Sequence, residues 1–85
     1  MSYFVYILEC SDKTLYTGIA TDVVRRLDEH NNSDKGAKYT KIRRPLKLVY
    51  SEESENRSSA SKREYEIKKL SREKKLELIS RSLDA

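Results

Sequence analysis

This sequence of 85 residues has one cysteine, one histidine, no tryptophan and no long apolar segment. Cys10 has no partner for an intramolecular disulfide, and one Cys with one His cannot form a structural zinc site of the usual composition. The longest apolar run, from Tyr3 to Leu8, is far too short to cross a bilayer and lacks the features of a secretory signal. We therefore expect a cytoplasmic protein with no membrane association.

The chain is short and basic. A length of 85 residues predicts a single domain over residues 1–85, and we expect it to be a monomer. The formal net charge of +4 favours a nucleic-acid partner, because Lys and Arg near phosphates release bound counterions. Charge alone is a modest argument, since many basic proteins bind no nucleic acid.

Three segments have the pattern of β-strands. Residues 3–8 are apolar on both faces, which is typical of a central strand covered on two sides. Turn residues separate them from Leu15–Ile19, and the two segments should pair as an antiparallel hairpin, in which Gly18 indicates a close backbone approach. An odd loop length would place Tyr6 and Tyr16 on one face of the sheet, and this is the register we predict.

The remaining segments predict a third strand and three helices. Thr21 can cap a first helix that runs to about residue 31, with Val23, Val24 and Leu27 facing inward. A basic surface loop over residues 31–45 and a strand over residues 46–50 should follow. A helix over residues 58–70 buries Ala60, Ile67 and Leu70, and Ser71 can cap the last helix. That last helix carries the apolar residues Leu76, Leu78, Ile79 and Leu83.

The predicted fold is α+β, a small and mainly antiparallel three-stranded sheet flanked by helices in the order β-β-α-β-α-α. On its first helix Arg26 and His30 are four residues apart and therefore share a flank. On the second, Glu64 lies about 40° from Ala60 and about 60° from Ile67, at the shoulder of the buried stripe. With Tyr6 and Tyr16, these side chains are candidates for one cleft.

Their residue types suit phosphodiester hydrolysis. A carboxylate holds a hard cation, an arginine stabilises charge on phosphate oxygens, and a tyrosine or histidine orients or deprotonates water. The residues Phe4-Val5-Tyr6 and Tyr16-Thr17-Gly18 resemble the paired motif of the GIY-YIG nucleases. Gly36-Ala37-Lys38-Tyr39-Thr40 and Arg44-Pro45-Leu46 also match the small, stand-alone bacterial branch of that family.

The resemblance implies an endonuclease that cleaves a nucleic acid, most simply DNA, with the help of one Mg²⁺ or Mn²⁺ ion. Glu64 would be the metal ligand and Arg26 the phosphate-contacting residue, while Tyr6, helped by Tyr16 or His30, would activate water. Two positions depart from the family pattern. Phe4 stands where the first motif has Gly, and no Asn follows Glu64. A non-catalytic nucleic-acid-binding module with the same fold is therefore the alternative, and an adaptor for an acidic protein is a third reading.

Each candidate also has a purely structural interpretation. A tyrosine in a doubly covered strand is most often a core residue. His30 could end its helix favourably as an imidazolium, and Arg26 could pair with Asp22. Glu64 could form a surface ion pair of small energetic value. The cations available to it are Arg63, Lys68 and Arg26.

The segment of residues 35–47 carries six cations and one aromatic ring. This composition predicts a track for phosphates with a ring on which a base can stack. A solvated loop is an equally good interpretation. The residues are Lys35, Lys38, Tyr39, Lys41, Arg43, Arg44 and Lys47.

Overall fold

The computed structural model of the chain describes residues 2–84, with side chains up to residue 82. It has the predicted α+β architecture, a three-stranded antiparallel sheet flanked by helices, with one short additional helix. Within residues 2–84 no helix is long and apolar enough to cross a bilayer. The elements are β1 (Tyr3–Glu9), β2 (Leu15–Ala20), α1 (Val23–Asn32), α2 (Lys38–Lys41), β3 (Lys47–Ser54), α3 (Arg57–Lys68) and α4 (Arg72–Asp84).

The order of strands in the sheet is β2-β1-β3, so β1 is central and both neighbours are edge strands. In the β1–β2 hairpin Tyr6 is paired with Gly18 and Leu8 with Tyr16. Directly paired residues project from the same face, as do residues two apart on one strand. The phenols of Tyr6 and Tyr16 therefore share a face, which confirms the predicted register.

Two apolar clusters cover the two faces of β1, which explains why this strand is apolar at every inner position. One face carries Val5 and Ile7, which pack against Ala60 and Ile67 of α3 and against Ile79 of α4. The other face is covered by α1 and by the chain entering β3. Its buried residues are Tyr6, Leu8, Cys10 and Leu46, joined by Tyr16, Ala20, Val23, Leu27 and Leu48.

The helix starts differ from the predictions by a residue or two. Asp22, not Thr21, is the N-cap of α1, where its carboxylate accepts from the backbone N–H of Arg25 at 3.0 Å. A carboxylate is the better cap because it also faces the positive end of the helix dipole. The prediction that Val24 faces inward was wrong, since its side chain is 77% exposed.

The later helices bury only some of the predicted residues. Asn56 caps α3, because its side-chain oxygen accepts a hydrogen bond from the backbone N–H of Ser59. Ser71 caps α4 in the same way, with its hydroxyl accepting from the backbone N–H of Lys74. Ala60 and Ile67 are fully buried, whereas Leu70 is half-buried. In α4 the buried residue is Ile79, Leu78 is half-buried and Leu76 is exposed. The side chain of Leu83 lies outside the described residues.

The basic segment between α1 and β3 is more ordered than the predicted loop. It contains α2, and two side chains fix it to the end of α1. Asn31 donates to the carbonyl of Leu46 at 3.0 Å and accepts from its N–H at 2.7 Å. Arg44 donates to the carbonyls of His30 at 2.6 Å and Ser33 at 2.7 Å. These bonds satisfy carbonyls that the helix end leaves without partners.

Candidate active site

A chain of buried hydrogen bonds connects β1, α1 and α2. The phenol of Tyr6 lies 2.9 Å from Nε2 of His30, and Nδ1 of His30 lies 2.9 Å from Oγ1 of Thr40. The hydroxyl of Thr40 in turn donates to the carbonyl of Ala37 at 2.8 Å. His30 and Thr40 are fully buried and Tyr6 is 2% exposed. We call this Tyr6–His30–Thr40 chain the relay.

The relay fixes the protonation of His30. The single hydroxyl proton of Thr40 is used on Ala37, so Oγ1 of Thr40 accepts from Nδ1–H of His30. In the neutral imidazole the other nitrogen, Nε2, is then an acceptor, and the phenol of Tyr6 donates to it. The geometry therefore leaves a proton acceptor directly beside the hydroxyl of Tyr6.

Burial holds both titrating groups of the relay in their neutral forms. Together with the positive charge of Arg26, it lowers the pKa of His30 to about 4. Burial also raises the pKa of Tyr6 to about 12, with a smaller contribution from Tyr16. Arg26 opposes that rise in pKa, while Glu64 adds to it. Arg26 and Glu64 are thus both close enough to Tyr6 to act on its proton.

Tyr16 connects the relay to α2. Its ring meets the ring of His30 edge-on, with 5.2 Å between the centroids, and lies nearly parallel to the ring of Tyr39 at 6.0 Å. The guanidinium of Arg43 lies 3.8 Å from the centroid of Tyr39. Three aromatic side chains from β2, α1 and α2 therefore form a continuous wall that ends at the surface, where Tyr39 is 39% exposed.

Arg26 lies one helical turn before His30. It donates to the carboxylate of Glu29 at 2.9 Å and to the carbonyl of Lys35 at 2.8 Å, both through Nη1. The predicted pair with Asp22 is absent among the salt bridges of residues 2–84, because Asp22 caps the helix. Arg26 also lines an open cleft of about 230 Å³, to which it can present the rest of its guanidinium.

Glu64 is at the shoulder of α3, as its helical angle predicts. Its side chain is 23% exposed and forms an ion pair of 3.3 Å with Lys68, one of the three cations expected to be available to it. Its negative charge contributes to the raised pKa of Tyr6. Among the described residues no three His, Cys, Asp or Glu side chains form a metal cluster.

These residues meet at the β2 edge of the sheet. Tyr6 projects from the face covered by α1, whereas Glu64 belongs to α3 on the opposite face. On β2, a Cβ at Gly18 would be 2.5 Å from Oη and 2.6 Å from Cζ of Tyr6. The absence of a side chain at Gly18 therefore makes room for the phenol. Four of the five predicted residues, Tyr6, Tyr16, Arg26 and His30, therefore lie on the α1 side of the sheet, whereas Glu64 acts on Tyr6 only through its charge from α3.

The cations of the basic segment divide into two groups. Arg44 is bonded to the end of α1, and Arg43 is held by Asp12 at 3.1 Å and by the carbonyl of Tyr39 at 2.9 Å. These two arginines therefore support the fold. The four lysines are exposed and form no salt bridge within residues 2–84; they are Lys35, Lys38, Lys41 and Lys47.

Sequence reasoning missed two residues of the site. Thr40 was noticed only as part of a matching segment, and its contact with His30 depends on the irregular path between α1 and β3. Glu29 was not singled out. It is held by Arg26 and Arg25 in α1, and its hydrogen bond from Arg26 lowers its pKa. The spacing of three residues between Arg26 and Glu29 on one helix is the signal that could have indicated it.

Known proteins are similar to this chain over almost its whole length. The sequence matches the family model of the GIY-YIG catalytic domain over residues 2–77. It is 57% identical over 81 residues to the UPF0213 protein DP2720 of Desulfotalea psychrophila, covering 95% of this chain and 74% of that protein. It is 58% identical over 78 residues to the UPF0213 protein SSP2268 of Staphylococcus saprophyticus, covering 92% of this chain and 94% of that protein.

A solved structure is similar in sequence and in fold. The solution NMR structure of the UPF0213 protein BH0048 from Bacillus halodurans has a TM-score of 0.60 and 50% sequence identity, covering 94% of this chain and 84% of that one. The family match and these identities agree with the motif residues around Tyr6 and Tyr16. The chain belongs to the GIY-YIG family and has its nuclease-type fold.

Proposed function

We propose that this protein is a divalent-metal-dependent endonuclease that hydrolyses phosphodiester bonds of nucleic acid, with DNA as the first substrate to test. The observation that carries the proposal is the relay, which places a neutral histidine nitrogen 2.9 Å from the phenol of Tyr6. A buried phenol with a dedicated proton acceptor, between a cation and a carboxylate, is a typical arrangement for general-base chemistry.

Binding of the substrate would begin with the exposed cations. Lysines in a track attract the polyanion without selecting a sequence. Arg26 would then contact the scissile phosphate, because its guanidinium lines the cleft beside Tyr6 and can donate to phosphate oxygens in a fixed geometry. Its charge also favours the phenolate form of Tyr6, which links substrate binding to proton transfer.

Glu64 fits a metal that is held mostly by the substrate. Magnesium is commonly bound by one or two protein carboxylates together with phosphate oxygens and water. A partly exposed carboxylate whose charge acts on Tyr6 suits that mode, provided that Lys68 releases Glu64. The ion would supply Lewis-acid polarisation of the phosphate. We therefore assign one Mg²⁺ or Mn²⁺ to Glu64.

The proton path follows the relay. Tyr6 gives its phenolic proton to Nε2 of His30 and then takes a proton from the attacking water, while Thr40 keeps Nδ1–H of His30 in place. The water oxygen forms the new bond to phosphorus as the bond to the leaving oxygen breaks. The leaving oxygen takes a proton from solvent, and His30 returns its extra proton to solvent. The pKa values of about 12 for Tyr6 and about 4 for His30 oppose the first transfer in the free protein. Catalysis therefore requires positive charge beside the phenol, which the guanidinium of Arg26 and a bound divalent ion would supply.

The test is cleavage of branched, single-stranded and duplex DNA, with and without Mg²⁺ or Mn²⁺, by the wild type and Glu64→Gln. We expect metal-dependent cutting by the wild type and a loss of about 100-fold or more in Glu64→Gln, because the metal ligand is removed. DNA affinity measured without metal should change by less than about twofold, since Glu64 contributes no cation to the substrate.

Glu66→Gln is the matched control. Glu66 lies on the same helix, is exposed and pairs with Arg63 at 3.4 Å, away from Tyr6. It should cut like the wild type. The wild type could instead bind DNA in a salt-sensitive way and cut it with neither metal. That result would contradict the nuclease proposal and favour a non-catalytic binding module. An absence of salt-sensitive binding would exclude both and favour an adaptor role.

A further inference from the structure

A second cleft adjoins the candidate active site on the other side of Gly18. It has a volume of about 300 Å³ and is lined by Leu15, Tyr16, Thr17, Tyr39, Lys68 and Lys75. Most of its wall is therefore aromatic or aliphatic, with two cations at its rim. A cleft of this composition combines a surface for a nucleobase with positive charge for a phosphate.

The two cations of the cleft differ in their freedom to bind an anion. Lys68 is ion-paired with Glu64 at 3.3 Å. Lys75 is half-buried on α4 and, among residues 2–84, has no salt bridge and no side-chain hydrogen bond. A partly desolvated cation without a counter-ion gains more from an arriving phosphate than a solvated or paired lysine does. Lys75 is therefore the cation of the cleft that is available to a ligand.

The cleft lies along the same strand as the residues next to Tyr6. Residues 15–17 of β2 line this cleft, residues 19–20 line the Arg26 cleft, and Gly18 beneath the phenol of Tyr6 separates the two. Tyr16 belongs both to the aromatic wall of the cleft and to the ring cluster around His30. From Tyr16 to Ala20 the strand extends about 13 Å, at about 3.3 Å per residue. A polynucleotide along this edge passes Tyr6 between the two clefts.

We propose that the cleft of Tyr16, Tyr39 and Lys75 binds the nucleotide next to the scissile phosphate, with its base unpaired. The base lies against the tyrosine wall and its own phosphate contacts Lys75. This inference rests on the proposed nuclease function. A base inside a duplex is stacked and cannot enter the cleft, so the favoured substrate is single-stranded, frayed or branched nucleic acid.

The test measures binding in the absence of metal, so that it does not depend on catalysis. A short fluorescein-labelled oligothymidylate and a blunt duplex are titrated with the wild type, Lys75→Ala and Lys74→Ala. Lys74 is the matched control, because it is the adjacent cation on α4, pairs with Glu77 and faces a different cleft. Lys75→Ala should weaken single-strand binding about fivefold and reduce the salt slope by about 0.7, as for one lost phosphate contact. Lys74→Ala should change affinity by less than about twofold.

A second measurement locates the ligand without relying on any variant. Titration of the ¹⁵N-labelled wild type with thymidine 5′-monophosphate should shift the amide resonances of residues 15–17 and of Tyr39 before those of α4 beyond Lys75. Shifts confined to the four exposed lysines of residues 35–47 would overturn the proposal. So would equal effects of Lys75→Ala and Lys74→Ala, or tighter binding of the duplex than of the single strand.

The outcomes separate this inference from the nuclease proposal. If the wild type never cuts but Lys75→Ala alone weakens single-strand binding, the cleft is supported as a binding site and only the catalytic function fails. If the wild type cuts and Lys75→Ala binds and cuts like Lys74→Ala, the nuclease stands and the assignment of the cleft is overturned.

Discussion

Gly18 shows how one residue determines the geometry of the site. The phenol of Tyr6 crosses β2 at the position where any other residue would carry a Cβ, 2.5 Å from the phenolic oxygen. Its role was predictable, because a glycine inside a strand indicates a close approach. Tyr6 and Tyr16 were equally predictable from the period of two along a strand. The partner of His30 was not, since Thr40 reaches it from a segment without a repeating pattern.

Gly18→Ala should destabilise the protein and disturb the relay. The added Cβ must displace the ring of Tyr6, and overpacking of this kind costs about 1–3 kcal/mol. The free energy of unfolding in urea measures the loss, and the ¹⁵N resonances of the His30 ring report whether Nε2 still accepts from Tyr6. We expect both to change.

Ser51→Ala is the control for that substitution. Ser51 is paired with Tyr6 on the other neighbouring strand and is exposed, so its replacement leaves the phenol in place. Its effect should stay within about 0.5 kcal/mol. Wild-type stability and an unchanged His30 spectrum in Gly18→Ala would show that the phenol does not occupy the space beside Gly18.

Among the elements, the segment from the end of α1 to the start of β3 differs most from its prediction. Its charge suggested a phosphate track, yet Arg43 and Arg44 are engaged with the protein itself. Composition cannot distinguish a structural arginine from a binding one, because both use the same donors and only the path of the backbone decides which acceptors are near. The strands and the long helices were predictable, since their buried faces repeat with a fixed period.

Arg44→Ala should therefore lower stability more than the loss of a lysine in the same segment. It removes charged hydrogen bonds to the carbonyls of His30 and Ser33, and such bonds contribute about 1.5–3 kcal/mol each before exposure to water reduces their value. We expect a net loss of about 2 kcal/mol in the urea unfolding free energy.

Lys41→Ala provides the comparison, because Lys41 is exposed and has no salt bridge within residues 2–84. Its unfolding free energy should remain within about 0.5 kcal/mol of the wild type. Equal losses for Arg44→Ala and Lys41→Ala would contradict the structural assignment of Arg44. The two variants should rank the other way in DNA binding. Lys41→Ala, and not Arg44→Ala, should reduce the salt dependence of the DNA affinity.

For the whole molecule, the relay couples folding to pH in opposite directions at its two ends. His30 has a folded pKa of about 4, below its unfolded value of about 6.5, so the unfolded chain binds the proton more readily. This contribution to stability is complete above pH 6.5 and is lost as pH falls from about 6.5 to about 4. The pKa of Tyr6 is raised to about 12 in the folded protein, so the unfolded chain loses this proton first and the protein loses stability as pH rises above about 10.

The measurement is the free energy of unfolding as a function of pH for the wild type and His30→Gln. Between about pH 6.5 and pH 4 the wild type should lose up to about 3 kcal/mol from this group, and His30→Gln should lack that slope. Asp12 and Glu29 have lowered pKa values, so their contributions appear at more acidic pH and remain in both proteins. Identical pH profiles would show that His30 is not held neutral in the folded protein.

The location of the site at a sheet edge has a consequence for synthesis. Tyr6 and His30 come from β1 and α1, whereas Glu64 follows them only on α3, which packs against the other face of β1. A nascent chain whose α3 is still in the ribosomal tunnel therefore lacks the carboxylate to which we assign the metal. Under the proposed mechanism, hydrolytic competence appears only after α3 has packed against the sheet, and a copy that stops before Glu64 is harmless to the nucleic acids around it.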